Sequence, residues 1–183
     1  MIGSNDFRAE YVANKVTNWV QDIEQLSALA IDEPQLAYSA YTKALCMRWC
    51  FLQRTIPDIK EYFAPLEDVI RDTFIPSIIG RKVTDIERRL LALPVRLGGI
   101  GIQNPTVTAD IEYANSTIIT RNLTKLIEDQ EMNLDNYDAD RIKSEILRLK
   151  MEKEESFLAE LREVKDRVND HKLQSTNYYC PCW

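Results

Sequence analysis

Apolar residues near the start of the chain recur at Val12, Val16, Trp19, Ile23, Leu26 and Ala30, in steps of four, three, four, three and four. That spacing follows the 3.6-residue turn of an α-helix and makes one continuous apolar stripe, so residues 6–31 are expected to form an amphipathic helix that needs a partner. Ser4, Asn5 and Asp6 supply side chains able to cap its start. With 5 glycines and 7 prolines in 183 residues, turn chemistry is too scarce for a barrel of many short strands or a collagen-like repeat. Hydrophobic residues at 45% and charged residues at 28% are the proportions of a folded chain. The expected fold is all-α: a compact domain of about five helices over 1–128, an acidic linker over 129–139, a long charged helix over 140–172 and a frayed tail over 173–183.

Pro34 suits the first turn of a second helix. Leu36, Tyr38, Tyr41, Leu45, Met47, Trp49, Phe51 and Leu52 make that helix apolar on nearly every face, which places it at the centre of the domain. Thr55, Pro57 and Asp58 mark a third helix starting near Pro57, with a stripe from Ile59 through Phe63, Leu66 and Ile70 to Phe74. Pro65 is expected to kink it, and Pro76 and Gly80 to end it. Thr84 and Glu87 form a capping box for a short fourth helix that stops before Pro94. The glycine-rich run from Leu93 to Ile102 reads as a buried turn or short extended segment serving close packing. Asn104-Pro105 opens a fifth helix over about 106–128. Ile142, Ile146, Leu149, Phe157, Leu161, Val164 and Val168 line one side of the last helix, a coiled-coil-like seam interrupted by Lys153. The expected core includes Trp19, Ile23, Leu45, Trp49, Leu52, Phe63, Leu66 and Leu91.

No run of about 18 to 20 apolar residues marks a membrane span. The first residues lack the basic start and apolar run of a secretion signal, and Cys46 and Cys50 lie in a helical pattern as buried thiols, so an intracellular, reduced protein is expected, cytoplasmic or nuclear.

The chemistry of most enzyme classes finds no purchase. The one histidine, His171, sits in the charged C-terminal helix, far from an obvious nucleophile. Cys180-Pro181-Cys182 has the wrong spacing for a zinc knuckle, and adding His171 gives at most three ligands near the tail. Gly98-Gly99-Ile100-Gly101 fits neither a P-loop nor a dinucleotide fingerprint, and no Asp-Asp pair is present for two-metal phosphoryl transfer. Neither a cofactor nor a metal is expected, and no enzymatic activity.

Charge is more informative. With 23 basic against 29 acidic residues the chain carries −6, so the whole molecule does not attract polyanions. Between positions 81 and 96, however, Arg81, Lys82, Arg88, Arg89 and Arg96 outnumber Asp85 and Glu87. Such a cluster can neutralise phosphates, and these five residues are the candidate nucleic-acid contacts. The bland alternative is that Arg88 and Arg89 pair with nearby acids and Arg96 lies over the core.

The run Leu93-Pro94-Val95-Arg96-Leu97-Gly98-Gly99-Ile100-Gly101-Ile102 resembles a signature that follows the polymerase core of non-LTR-type retroelement reverse transcriptases. Tyr11-Val12, Lys15-Val16, Trp19, Ala37-Tyr38, Trp49, Arg54-Thr55-Ile56-Pro57, Leu66-Glu67 and Phe74-Ile75-Pro76 precede it in the order such elements show. The resemblance spans roughly residues 1–105 and leaves the tail unmatched. It implies a helical, thumb-like segment lying beyond the palm, which holds template-primer duplex while the absent palm and fingers do chemistry. No catalytic residue carries over, because the aromatic-x-Asp-Asp motif of the palm has no counterpart here, and the tail suggests a truncation or frameshift product.

Two functions follow. One is a non-catalytic module contacting the backbone of RNA/DNA or other duplex nucleic acid, which predicts that the five basic residues form one strip. The other is a helical interaction or scaffold module in which the 140–172 arm associates with itself or a partner, which predicts that its apolar seam is exposed.

Overall fold

The computed structural model describes residues 5–130 and 139–170. His171, the 173–183 tail with Cys180 and Cys182, and all of the 129–139 linker except its two ends lie outside the described residues. In order, the elements are α1 (Asn5–Asp32), α2 (Pro34–Ala40), a π-helical turn (Tyr41–Leu45) and α3 (Met47–Thr55). A 3-10 turn (Lys60–Phe63), α4 (Ala64–Val69), a second π-helical turn (Ile70–Phe74) and α5 (Ile75–Ile79) follow. The chain continues through α6 (Asp85–Ala92), a 3-10 turn (Val95–Leu97), α7 (Pro105–Glu128) and α8 (Ala139–Asp170). Among the described residues there is no strand. Since α2 runs through its π turn into α3, and α4 into α5, the described residues form six helical rods, an all-α fold with a long C-terminal helix.

The first stripe lands where its spacing demands. Val12, Val16, Trp19, Ile23 and Ala30 are buried, and α1 lies against α2, α4 and α5. A chain of aromatic contacts ties the rods together. Phe63 stacks on Trp19 at 6.3 Å, Trp19 meets Trp49 at 5.9 Å, Trp49 meets Tyr41 at 6.1 Å and Tyr41 stacks on Phe74 at 4.9 Å. The last contact joins the two π turns.

Those turns have a cause in the spacing of the core residues. Ala37, Tyr41, Leu45 and Trp49 are all buried and separated by four residues each time, and so are Leu66, Ile70 and Phe74. A regular helix advances 3.6 residues per turn, so repeated steps of four drift around its surface. Widening one turn to the i→i+5 pattern absorbs the drift. Accordingly the amide of Cys46 donates to the carbonyl of Tyr41 at 3.0 Å.

Several local expectations change. The third rod starts at Lys60 rather than near Pro57, because Asp58 adopts a left-handed backbone (φ 58) that no helix can propagate through. Pro65 therefore lies in the first turn of α4, where a missing N–H is tolerated, at the point where the 3-10 turn passes into α-helix. Pro76 does not end the rod: it sits in the first turn of α5 just after the π turn, and the end comes at Gly80 in the left-handed conformation. The second rod is not buried all round, since Leu36, Met47 and Phe51 are exposed. Leu91 is only partly buried against the core.

The caps at α6 and α7 match the sequence reading. Glu87 N–H donates to Thr84 Oγ1 at 3.3 Å while Thr84 N–H donates to Glu87 Oε2 at 2.9 Å. Asn104 Oδ1 accepts from the amide of Thr106 at 2.8 Å. α7 packs along α3, where the buried Gln53 amide donates to the carbonyl of Pro105 at 2.9 Å.

The long helix is not a free arm. α8 lies against α6 and α7, with Val164 buried and Phe157 and Leu161 half-buried. The seam read as a coiled-coil surface is the helix's docking face on its own domain. Lys153, which breaks the seam, meets Glu112 of α7 at 3.5 Å.

Candidate nucleic-acid interface

The capping box fixes where α6 begins, and at about 100° per residue that decides which way each arginine points. Thr84, Arg88 and Leu91 share one face, whereas Glu87 and Arg89 flank it on opposite sides. Arg88 turns inward. Its Nε and Nη2 donate to Oε1 and Oε2 of Glu67 at 2.7 and 2.8 Å, and its Nη1 donates to the carbonyl of Ile102 at 2.7 Å. Both side chains of this pair are more than nine-tenths buried. Arg88 is therefore a structural clamp and no phosphate contact, a correction to the sequence reading.

The clamp holds the end of the Leu93–Ile102 segment. The amides of Ile100 and Gly101 donate to the carbonyls of Leu91 and Leu93, folding the run back on the end of α6. The hydroxyl of Tyr38 donates to the carbonyl of Ile100 at 2.7 Å. Gly99 lies so close that a Cβ there would stand 2.0 Å from the carbonyl oxygen of Leu93 and 2.6 Å from that of Leu90. Gly98 supplies the positive φ that ends the intervening 3-10 turn. The glycine-rich run is thus a turn anchored by the buried Leu93, Gly99 and Ile102 and tied to α6 and α2, with Val95, Arg96, Gly98 and Gly101 exposed, and it carries Arg96 outward.

The other four basic residues fall into two sets. On one flank, Arg81 Nη1 and Nη2 donate to Oε2 and Oε1 of Glu87 at 3.0 and 2.8 Å. Lys82 beside it is exposed. The carboxyl of Asp72 is held below its ordinary range chiefly by a hydrogen bond from Arg71, with the charge of Lys82 adding to the effect. On the other flank, Arg89 donates to two acids of α8, with Nη2 at 2.9 Å from Glu160 Oε2 and 2.6 Å from Glu163 Oε2. Its guanidinium pushes the Glu163 carboxyl down, with Arg167 assisting. Arg96, with its side chain 58% exposed, pairs with Glu154 of the same helix. The single strip expected from sequence is absent among the described residues. Successive positions on a short helix point in different directions, so a cluster in sequence is divided in space.

What the arrangement offers is two guanidiniums, Arg89 and Arg96, already seated on carboxylate oxygens of α8. Bidentate arginine geometry suits carboxylate and phosphate alike. The missed partners were legible only in part: Glu67 interrupts the apolar stripe from Phe63 to Phe74, and an acid in such a stripe demands a cation.

Elsewhere, Cys46 and Cys50 are free, half-buried thiols whose pKa values are raised, first by burial. A shallow groove of about 340 Å³ runs between α1 and the α2 rod, bridged by Arg48 and Asp22 at 2.5 Å. No described helix is long and apolar enough to cross a membrane. Compared with protein families, curated proteins and solved structures, the chain matches none.

Proposed function

We propose that the chain is a non-catalytic, thumb-like module related to retroelement reverse transcriptases, which contacts the sugar-phosphate backbone of template-primer duplex. The observation that carries this reading is the rigid Leu93–Ile102 turn, the segment on which the resemblance rests. Gly99, Tyr38 and the buried Arg88 fix it to the core and hold Arg96 toward solvent, and Arg96 and Arg89 of the preceding helix are each seated on carboxylate oxygens, groups that a phosphate oxygen can replace. Arg81 and Lys82 on the other flank add to the local positive field. Contacts of this kind position a duplex without reading its bases. The palm and fingers of a polymerase are the protein partners this reading implies.

Fluorescence anisotropy with a labelled RNA/DNA hybrid tests it. Weak, salt-sensitive binding that is indifferent to base sequence is expected. Absence of binding even at the lowest salt overturns the proposal.

A second reading has one observation in its favour. Leu147, Met151 and Leu158 form a narrow exposed stripe on the side of α8 away from the domain. Self-association of a scaffold module would use that stripe, not the docked seam.

A further inference from the structure

The carboxylates that hold α8 in place occupy the positions an incoming phosphate would need. Glu160 and Glu163 engage Arg89, Glu154 engages Arg96, and the two arginines sit on opposite sides of the junction between α6 and the Leu93–Ile102 turn. Glu154 and Glu160 are six residues apart, or about 9 Å along the helix at 1.5 Å per residue. At about 100° per residue Glu154 and Glu160 stand about 120° apart around α8, so the acids straddle its docked seam, Glu154 covering Arg96 on one side and Glu160 and Glu163 covering Arg89 on the other. These pairs tie α6 and its turn to α8, and on the α7 side Lys153 meets Glu112. α8 also keeps an apolar hold on the domain through Val164, so it stays docked in the absence of a competitor.

The geometry points to α8 as an intramolecular competitor of nucleic acid: its carboxylates mask Arg89 and Arg96, and duplex phosphates displace them. This inference rests on the nucleic-acid reading above and names the regulation of that same surface. The exchange is of like for like, since each guanidinium trades carboxylate oxygens, two carboxylates at Arg89 and a single oxygen at Arg96, for phosphate oxygens. What differs is the counterion atmosphere that a duplex releases on binding and a helix carboxylate does not. The competition is therefore decided by salt: low salt favours the duplex and high salt favours the closed form.

Linkage makes the effect reciprocal. If α8 weakens duplex binding, duplex must weaken α8 docking by the same factor.

The test compares three full-length chains binding a labelled RNA/DNA hybrid across a salt series. The first is the natural sequence, the second carries E154Q, E160Q and E163Q, and the third carries D140N, E155Q and D166N on exposed positions of α8. The two variants gain the same charge, so a general electrostatic effect raises both equally. Duplex bound to the natural chain already contacts both arginines, so removing the competing carboxylates raises affinity by the factor with which α8 docking competes, without adding phosphate contacts. The expected result is that gain, at least several-fold, in the second chain alone. Hydrogen exchange on the natural chain supplies a readout that needs no substitution: amides of 139–170 should lose protection when the hybrid is added. Equal affinities for the second and third chains, or unchanged protection of α8 at saturating hybrid, overturn the inference while leaving the nucleic-acid reading intact. Absence of binding by all three chains removes that reading itself, and the masking with it.

Discussion

Arg88→Met should be among the most damaging single changes that leave the hydrophobic core untouched. The substitution keeps most of the side-chain volume but removes three short hydrogen bonds, two to Glu67 and one to the carbonyl of Ile102. Glu67 is left at 9% side-chain exposure without its bidentate partner. Stranding one partner of a buried pair costs about 3 to 5 kcal/mol, and an unsatisfied buried carbonyl adds about 1 to 3 kcal/mol if no water reaches it. Glu67→Gln strands the guanidinium instead and should cost about as much as the lower part of that range. The double variant, E67Q with R88M, leaves no buried charge, so it should be less destabilised than the two single variants added together, with a coupling of about 2 kcal/mol or more. Urea unfolding followed by far-ultraviolet circular dichroism gives all four stabilities, provided the slope m is unchanged. A loss below about 1 kcal/mol for R88M, or strict additivity in the cycle, would refute the claim that Arg88 is withdrawn from the surface to clamp the turn.

The same packing sets three further outcomes. Gly99→Ala drives a Cβ into two backbone carbonyls that cannot rotate away, so it should cost at or above the usual range of about 1 to 3 kcal/mol for overpacking, measured by the same unfolding assay. Trp49→Ala removes the ring between Trp19 and Tyr41 and should cost about 3 to 5 kcal/mol; a loss near zero would place it outside the core. For pH, the Glu163 carboxyl is depressed by Arg89 relative to its ordinary 4.5. Its contribution to α8 docking is thus complete above that value and lost as pH falls through the lower folded one, so thermal stability should decline in that acid window and decline less in R89Q.

Much of the fold was written in spacing and caps. The 3–4 rhythm from Val12 to Ala30, the Thr84–Glu87 box and the Asn104-Pro105 start each specify a local conformation on their own, and tertiary packing had no reason to override them. The π turns were legible in principle, since three steps of four from Ala37 to Trp49 outrun a regular helix, but only knowledge of which residues are buried turns that rhythm into a widened turn. The start of the third rod was not legible, because Asp58 can serve equally as a cap or as a left-handed turn residue. The site was the least readable part. Five basic residues between positions 81 and 96 look like one patch, yet the direction of each depends on its angle around α6 and on acids contributed from α4 and from the distant α8. Lys153 shows the same limit: in a seam it reads as a flaw, and only the position of Glu112 on α7 makes it a matched contact.

The salt dependence of duplex binding tests the nucleic-acid reading most directly. With Arg88 assigned to the core, R81Q with K82Q and R96Q neutralises three exposed cations drawn from both flanks of α6 without touching the clamp. Anisotropy of a labelled B-form DNA duplex across a salt series should show the log-log slope falling by up to about 0.9 for each cation neutralised, or about 2.7 for all three. A variant that binds with the same slope as the natural chain would contradict the assignment of this surface to phosphate.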